Sequence, residues 1–210
     1  CLQELAAGDI DQVREATGLG HVHFIQMAIH PQDGRAFGVG ILAQRPFIEA
    51  DFITYAGDGD GTTLFDRTTP ESKIATCRYA VARARLAIRG LDLRIATTHF
   101  PWTPDGGARD FQHHAVARLI AGLRGPPIVL TGDFNAPRGG PIFAELARVW
   151  TDCIPGEAKT SLDPVLHRAA PLELMVDGLF LSPHYRADDV RLHTGVSDHQ
   201  AITARLSAMG

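Results

Sequence analysis

The chain has 210 residues, 45% of them hydrophobic, which is enough for one sizeable buried core. Twenty Lys and Arg against 24 Asp and Glu leave a net charge of −4. That balance argues against a non-specific nucleic-acid coat or an anionic-membrane binder, both of which need a large basic excess, and no apolar run approaches the roughly 20 residues of a membrane span. Cys1, Cys77 and Cys153 stand far apart and offer neither a disulfide framework nor a metal knuckle. A cytoplasmic setting is therefore expected, or a secreted one if a signal peptide preceded Cys1. The 21 Gly and 13 Pro are spread through the whole length, so residues 1–210 read as a single domain without a linker, expected to be a monomer.

In chain order, Leu2-Gln3-Glu4 looks like the end of a buried strand. Residues 9–19 carry a capping-type Asp9 and apolar Ile10, Val13 and Ala16 at helical spacing, and end at Gly18 and Gly20. Segments 21–29 and 37–44 read as strands, the second with Gly38 and Gly40 where backbones pack closely. Residues 82–89 alternate strictly, Ala82, Ala84, Leu86 and Ile88 against Arg83, Arg85 and Arg89, and 91–97 repeat the period across Gly90, so the two form a hairpin whose arginines face solvent. Residues 109–123 are an amphipathic helix, 128–131 a strand buried on both faces, and 142–149 a second short helix; strands follow at 175–181, 185–192 and 200–206. Strands in runs with helices between them suit two sheets packed face to face with helices outside.

Several polar clusters lie where these apolar strands end, the place from which a scaffold presents reactive groups to a cleft. They are Thr98-His99-Phe100, Gly132-Asp133-Phe134-Asn135, Asp177 within Val176-Asp177-Gly178-Leu179-Phe180, and Ser197-Asp198-His199. Singly, a turn explains the Asp-x-Asn and a structural hydrogen bond explains a lone His. Asp177 is different, because a carboxylate in an apolar strand costs several kcal/mol unless it is paired, and an imidazole is the economical partner.

Together with Leu2-Gln3-Glu4 and Gly38-Val39-Gly40-Ile41-Leu42 followed by Arg45-Pro46, these motifs resemble the endonuclease/exonuclease/phosphatase superfamily over essentially the whole chain. The resemblance implies an α/β (α+β) fold, a four-layer α-β-β-α sandwich of two mixed sheets, and a divalent-metal-dependent phosphoesterase using in-line attack of water. It implies Glu4 and Asp198 as metal residues, Asp133 as the group that activates the water, Asn135 as its holder, and His99 and His199 on the phosphate, with Asp177 orienting His199. Oxygen donors without cysteine suit Mg²⁺ or Mn²⁺. The partner is then a phosphoester substrate, a small molecule or nucleic acid.

Other residues are read more plainly. Arg109 and Gln112 are taken as packing and loop-anchoring residues, and Trp102 either stacks on a base or sugar or caps the core. His21, His23, His113, His114, His167 and His193 lack the spacing of a zinc site. The superfamily begins with a strand bearing a metal-site Asn, for which this chain has no counterpart, so the domain is expected to be N-terminally incomplete. A degenerate domain that binds a phosphorylated ligand is the alternative to an enzyme, and a groove built from Arg83, Arg85 and Arg138 would favour a nuclease.

Overall fold

The computed structural model describes residues 1–103, 110–168 and 172–209. In chain order the elements are β1 (Leu2–Ala6), α1 (Ile10–Thr17), β2 (His21–Ile29), β3 (Ala36–Ala43), β4 (Glu49–Ala56), α2 (Pro70–Thr76), β5 (Tyr79–Ile88), β6 (Leu91–His99) and α3 (Asp110–Leu123). They continue with β7 (Val129–Asp133), α4 (Pro141–Ala147), β8 (Thr151–Asp152), β9 (Asp177–Leu181), β10 (Tyr185–His193) and β11 (Ala201–Ala208). A three-stranded sheet β1-β3-β2 lies over a six-stranded sheet β4-β5-β6-β7-β9-β8, and β10-β11 form a separate ribbon.

Two local features set the register of the large sheet. Arg89 and Gly90 both have positive φ, 49° and 84°, between paired Ile88 and Leu91; this is the two-residue turn whose twist matches its flanking strands. From β6 the chain crosses through α3 and returns as β7 parallel to β6, while the other neighbours in this sheet pair antiparallel. The two last residues of this parallel pair, His99 and Asp133, therefore end side by side.

Met27, Val39 and Ile41 of the small sheet belong to one continuous buried cluster with Val81, Ala82, Ala96 and Leu130 of the large sheet, and Val116, Leu119 and Ile120 of α3 join it. A second cluster, built on Leu93, Val129, Leu179 and Tyr185, lies beneath the β10-β11 ribbon. Tyr185 fixes that ribbon to β6, its hydroxyl donating to Asp92 O at 2.9 Å and accepting from Arg94 N at 3.1 Å.

The sandwich and most elements agree with the sequence reading; β4, α2 and β8 were not expected. β4 is an edge strand exposed over most of its length, so it lacks the alternation that marks a half-buried strand. α2 carries a legible signature, a Thr69 cap reciprocated by Ser72 with Pro70 at the first helical position. The strand read from 175 begins at Asp177; Val176 N donates to Ser161 Oγ (3.1 Å), and Val176 O accepts from Phe134 N (2.9 Å) just beyond the last ladder pair. The helix read from 109 is described from Asp110; Arg109 lies outside the described residues.

Candidate active site

The sheet brings most of the expected residues into one row. His99 closes β6, Asp133 closes β7 and Asp177 opens β9; His99 pairs with Asp133 in register, and Asp133 with Asp177. Register partners carry their side chains on the same face, so an imidazole and two carboxylates stand on neighbouring strands. His99 Nε2 lies 3.5 Å from Asp133 Oδ2 and 3.8 Å from Glu4 Oε1, which extends the row to β1. At the other end, His199 Nδ1 and Asp177 Oδ2 are 2.6 Å apart. The imidazole required by Asp177 in an apolar strand is thus His199.

Each member is held from beneath. Glu4 sits at a bulge in the β1-β3 ladder with φ 51°, and neighbouring Gln3 donates through Nε2 to Thr97 Oγ1 at 2.7 Å, which ties β1 to β6. Left-handed backbone in a non-glycine residue is uncommon and concentrates at functional sites; Asn135, with φ 46°, is a second instance. Asn135 N donates to Asp133 Oδ1 at 2.7 Å and its Nδ2 to Phe100 O at 2.8 Å, bridging the loops after β7 and β6. Buried Gln112 of α3 anchors the His99 loop by donating to Pro101 O at 2.9 Å.

Charge and burial divide the two central carboxylates. Burial pushes Asp133 up to about 6 against the pull of His99, with Asp177 adding to the rise and His199 and the Asn135 amide opposing it. Burial draws His199 down, but the bond to Asp177 and the charges of Asp177, Asp133 and Asp198 outweigh it and raise it to about 9. The result is a carboxylate poised near neutrality beside a lasting imidazolium, the arrangement of a general base next to an anion-binding cation.

A ring nitrogen of His167, a carboxylate oxygen of Asp198 and a ring nitrogen of His199 lie within 4.8 Å of one another, and Glu4 is not of that group. Sequence spacing gives His167 no role, because 32 positions of chain separate it from its neighbour; only the fold brings it to His199, with ring centroids 5.7 Å apart and edge to face.

Arg83 and Arg85 line one pocket together with Arg94, Arg124, Glu49 and Asp51, and Arg138 is not part of it. Arg83 is bidentate on Asp51, Arg85 pairs with Asp92 and Glu49, and Arg138 pairs with Asp152 while donating to Ile154 O and Pro155 O. Their charge is spent on local acids and carbonyls. Trp102 is about half exposed and carries Lys73 Nζ 4.0 Å over its ring, so it does not cap the core.

Two stacked sheets with a carboxylate-imidazole row across their strand ends make this an α/β sandwich with a polar site at its rim. The chain belongs to the Endonuclease/Exonuclease/phosphatase family, whose profile matches residues 1–199. Among solved structures it is similar to the endonuclease/exonuclease/phosphatase from Beutenbergia cavernae, with TM-score 0.74 and 14% identity over 100% of this chain and 62% of that one. It is also similar to the human nocturnin catalytic domain with bound sulfate, at TM-score 0.74 and 15% identity over 100% and 80%. A third is the mannosyl-6-phosphatase of Bacteroides thetaiotaomicron, at TM-score 0.62 and 15% identity over 98% and 83%. The chain thus spans about three fifths of the first of these and about four fifths of the other two. Comparison with curated proteins returned no match. No described helix is long and apolar enough to cross a membrane.

Proposed function

We propose that the chain is a divalent-metal-dependent phosphoesterase that cleaves its substrate by in-line attack of water. The observation that carries this reading is the row itself: Glu4, His99, Asp133, Asp177 and His199 on adjacent elements, with Asp177 and His199 joined at 2.6 Å. Asp133 takes the proton of the attacking water, and its elevated pKa suits that task near neutral pH. Asn135 Nδ2 is committed to Phe100 O, so the amide oxygen is the part that holds the water. His99 and His199 contact the phosphoryl oxygens from opposite ends of the row, and Asp177 keeps His199 charged and oriented.

The donor set fits a hard cation. Glu4 and Asp198 supply carboxylates without a competing thiolate, and the only ion-pair neighbour of Glu4 among the described residues is His99 at 3.8 Å. Mg²⁺ or Mn²⁺ held by these two residues would neutralise charge on the phosphoryl and leaving oxygens. The similarity to a mannosyl-6-phosphatase and to a sulfate-bound nocturnin domain supports an anionic, phosphate-like ligand, and the engagement of Arg83, Arg85 and Arg138 favours a small substrate over nucleic acid. Free cysteines accord with a reducing, cytoplasmic setting.

The test is hydrolysis of p-nitrophenyl phosphate and bis(p-nitrophenyl) phosphate by the full natural chain with Mg²⁺ or Mn²⁺. Turnover abolished by EDTA and lowered at least roughly a hundredfold by Asp133→Asn is expected. Wild-type turnover equal to that variant leaves the alternative, a domain that binds a phosphorylated ligand without catalysis.

A further inference from the structure

The 160–168 segment is bound to the segment carrying Asp198 and His199 by main-chain hydrogen bonds, and one buried carboxylate organises both. Asp163 N donates to Asp198 O at 2.8 Å, and Gly195 N donates to Asp163 Oδ2 at 2.6 Å. Asp163 Oδ1 accepts from Val165 N and Leu166 N, both at 2.8 Å, and Asp163 O accepts from His167 N at 3.2 Å. A carboxylate only 1% exposed is tolerated because main-chain donors saturate it. Gln200 adds N to Ser161 O at 2.7 Å and Nε2 to Leu162 O at 3.0 Å, and Ser161 Oγ accepts from Asp177 N at 3.1 Å. The short segment that reaches the backbones of Asp177 and Asp198 is therefore the one that sets His167 beside His199.

An imidazole set beside the hydrogen-bonded His199–Asp177 pair has a chemical use. On the phosphoesterase reading, His99 and His199 account for two non-bridging oxygens of a bound phosphoryl group. A diester has only two, with one negative charge; a monoester has three, with a charge near −2 at neutral pH. We propose that His167 is a substrate-binding residue that donates to the third non-bridging oxygen, so that phosphomonoesters are the substrate class of this site. The inference rests on the phosphoesterase reading above and goes beyond it in naming the class.

The experiment compares the full natural chain with His167→Phe, which keeps a ring against His199 but has no donor, and His167→Gln, which restores a donor. His167→Ala serves where the phenyl ring lowers the melting temperature. With Mg²⁺ present, kcat/KM is measured on p-nitrophenyl phosphate and bis(p-nitrophenyl) phosphate, and calorimetric Kd values for inorganic phosphate and dimethyl phosphate. His167→Phe is expected to lose at least roughly tenfold on the monoester and on inorganic phosphate, to stay within about twofold on the diester and dimethyl phosphate, and to be partly rescued in His167→Gln. Equal losses on both classes, no loss, or a wild-type preference for the diester overturns the proposal. Weakened Mn²⁺ affinity with unchanged phosphate Kd also overturns it, making His167 a metal ligand. Phosphate binding that depends on His167 without any metal-dependent turnover upholds the inference and sinks the phosphoesterase reading; monoester turnover indifferent to His167→Phe does the reverse.

Discussion

Gly132 offers the sharpest test of how the fold sets the site. It precedes Asp133 on β7 and pairs with Thr98 on one side and Gly178 on the other. A Cβ at this position would stand 2.2 Å from Thr98 O and 3.1 Å from Thr98 C, about 1 Å inside ordinary contact with main-chain atoms that no rotamer change can move. The methyl group of Gly132→Ala is admitted only if β6 and β7 separate where His99 and Asp133 leave the sheet. Overpacking of this kind costs about 1–3 kcal/mol, and the position next to two ladders places it toward the upper end. With a urea m-value of about 2 kcal/mol/M, the unfolding midpoint should fall by roughly 1–1.5 M.

The catalytic consequence is separable from the loss of stability. A shift of about 1 Å between His99 and Asp133 should lower kcat/KM by roughly a hundredfold, measured well below the midpoint where the variant is fully folded. Gly18, with nothing within 4 Å of an added Cβ, is the control: strained by its φ of 68°, Gly18→Ala should cost stability without touching turnover. A Gly132→Ala protein with an unchanged midpoint and full kcat/KM would refute the argument that close approach of β6 and β7 places the row.

Asp133→Asn should raise stability in EDTA at pH 8 by roughly 1–3 kcal/mol. A folded pKa of about 6 means that the charged carboxylate costs stability above that pH, so the gain should shrink as pH falls through 6 and vanish below 4; urea titrations at several pH values check it. Asp163 behaves oppositely: the amides of Gly195, Leu166 and Val165 hold its carboxyl below the usual range. Its stabilisation is present above about pH 4 and lost as pH falls through the depressed folded value, so the acid limb of Tm against pH should flatten in Asp163→Asn. Arg138→Met removes the ion pair to Asp152 and the donors to Ile154 O and Pro155 O, and should lower stability by about 2–4 kcal/mol in chemical denaturation.

The site is legible in the sequence to the extent that strand ends carry it. His99, Asp133 and Asp177 terminate or begin apolar runs, and the cost of burying Asp177 calls for a partner, of which an imidazole is the economical one, the role His199 fills. Lateral order is not legible in the same way. The periodicity of residues 91–97 and 128–131 shows two strands but not that they lie parallel and adjacent, and it is this adjacency that turns two separate motifs into neighbours. His167 and Asp163 escape a sequence reading for a related reason: their segment has no regular period, and its position is fixed by main-chain hydrogen bonds to residues some thirty positions away. The arginines are legible as a solvent-facing stripe but not in what they pair with. Their stripe on β5 is plain, but the acids that neutralise it come from β4 and β6, and β4 itself carries no alternating pattern to announce it.

The two central carboxylates show how one sheet edge yields unlike chemistry from like groups. Asp133 and Asp177 are cross-strand partners, a juxtaposition that two unrelieved charges would not tolerate. Each has an imidazole, but at different range: 2.6 Å from Asp177 to His199, and 3.5 Å from Asp133 to His99. The short contact orients His199 on Asp177 and is one of the causes that raise the pKa of His199 to about 9. The long contact lies beyond hydrogen-bond length and leaves Asp133 buried, partly compensated and able to accept a proton near neutral pH. On the proposed reading, Asp133 is the carboxylate that takes the proton, and Asp177 is the one that orients His199.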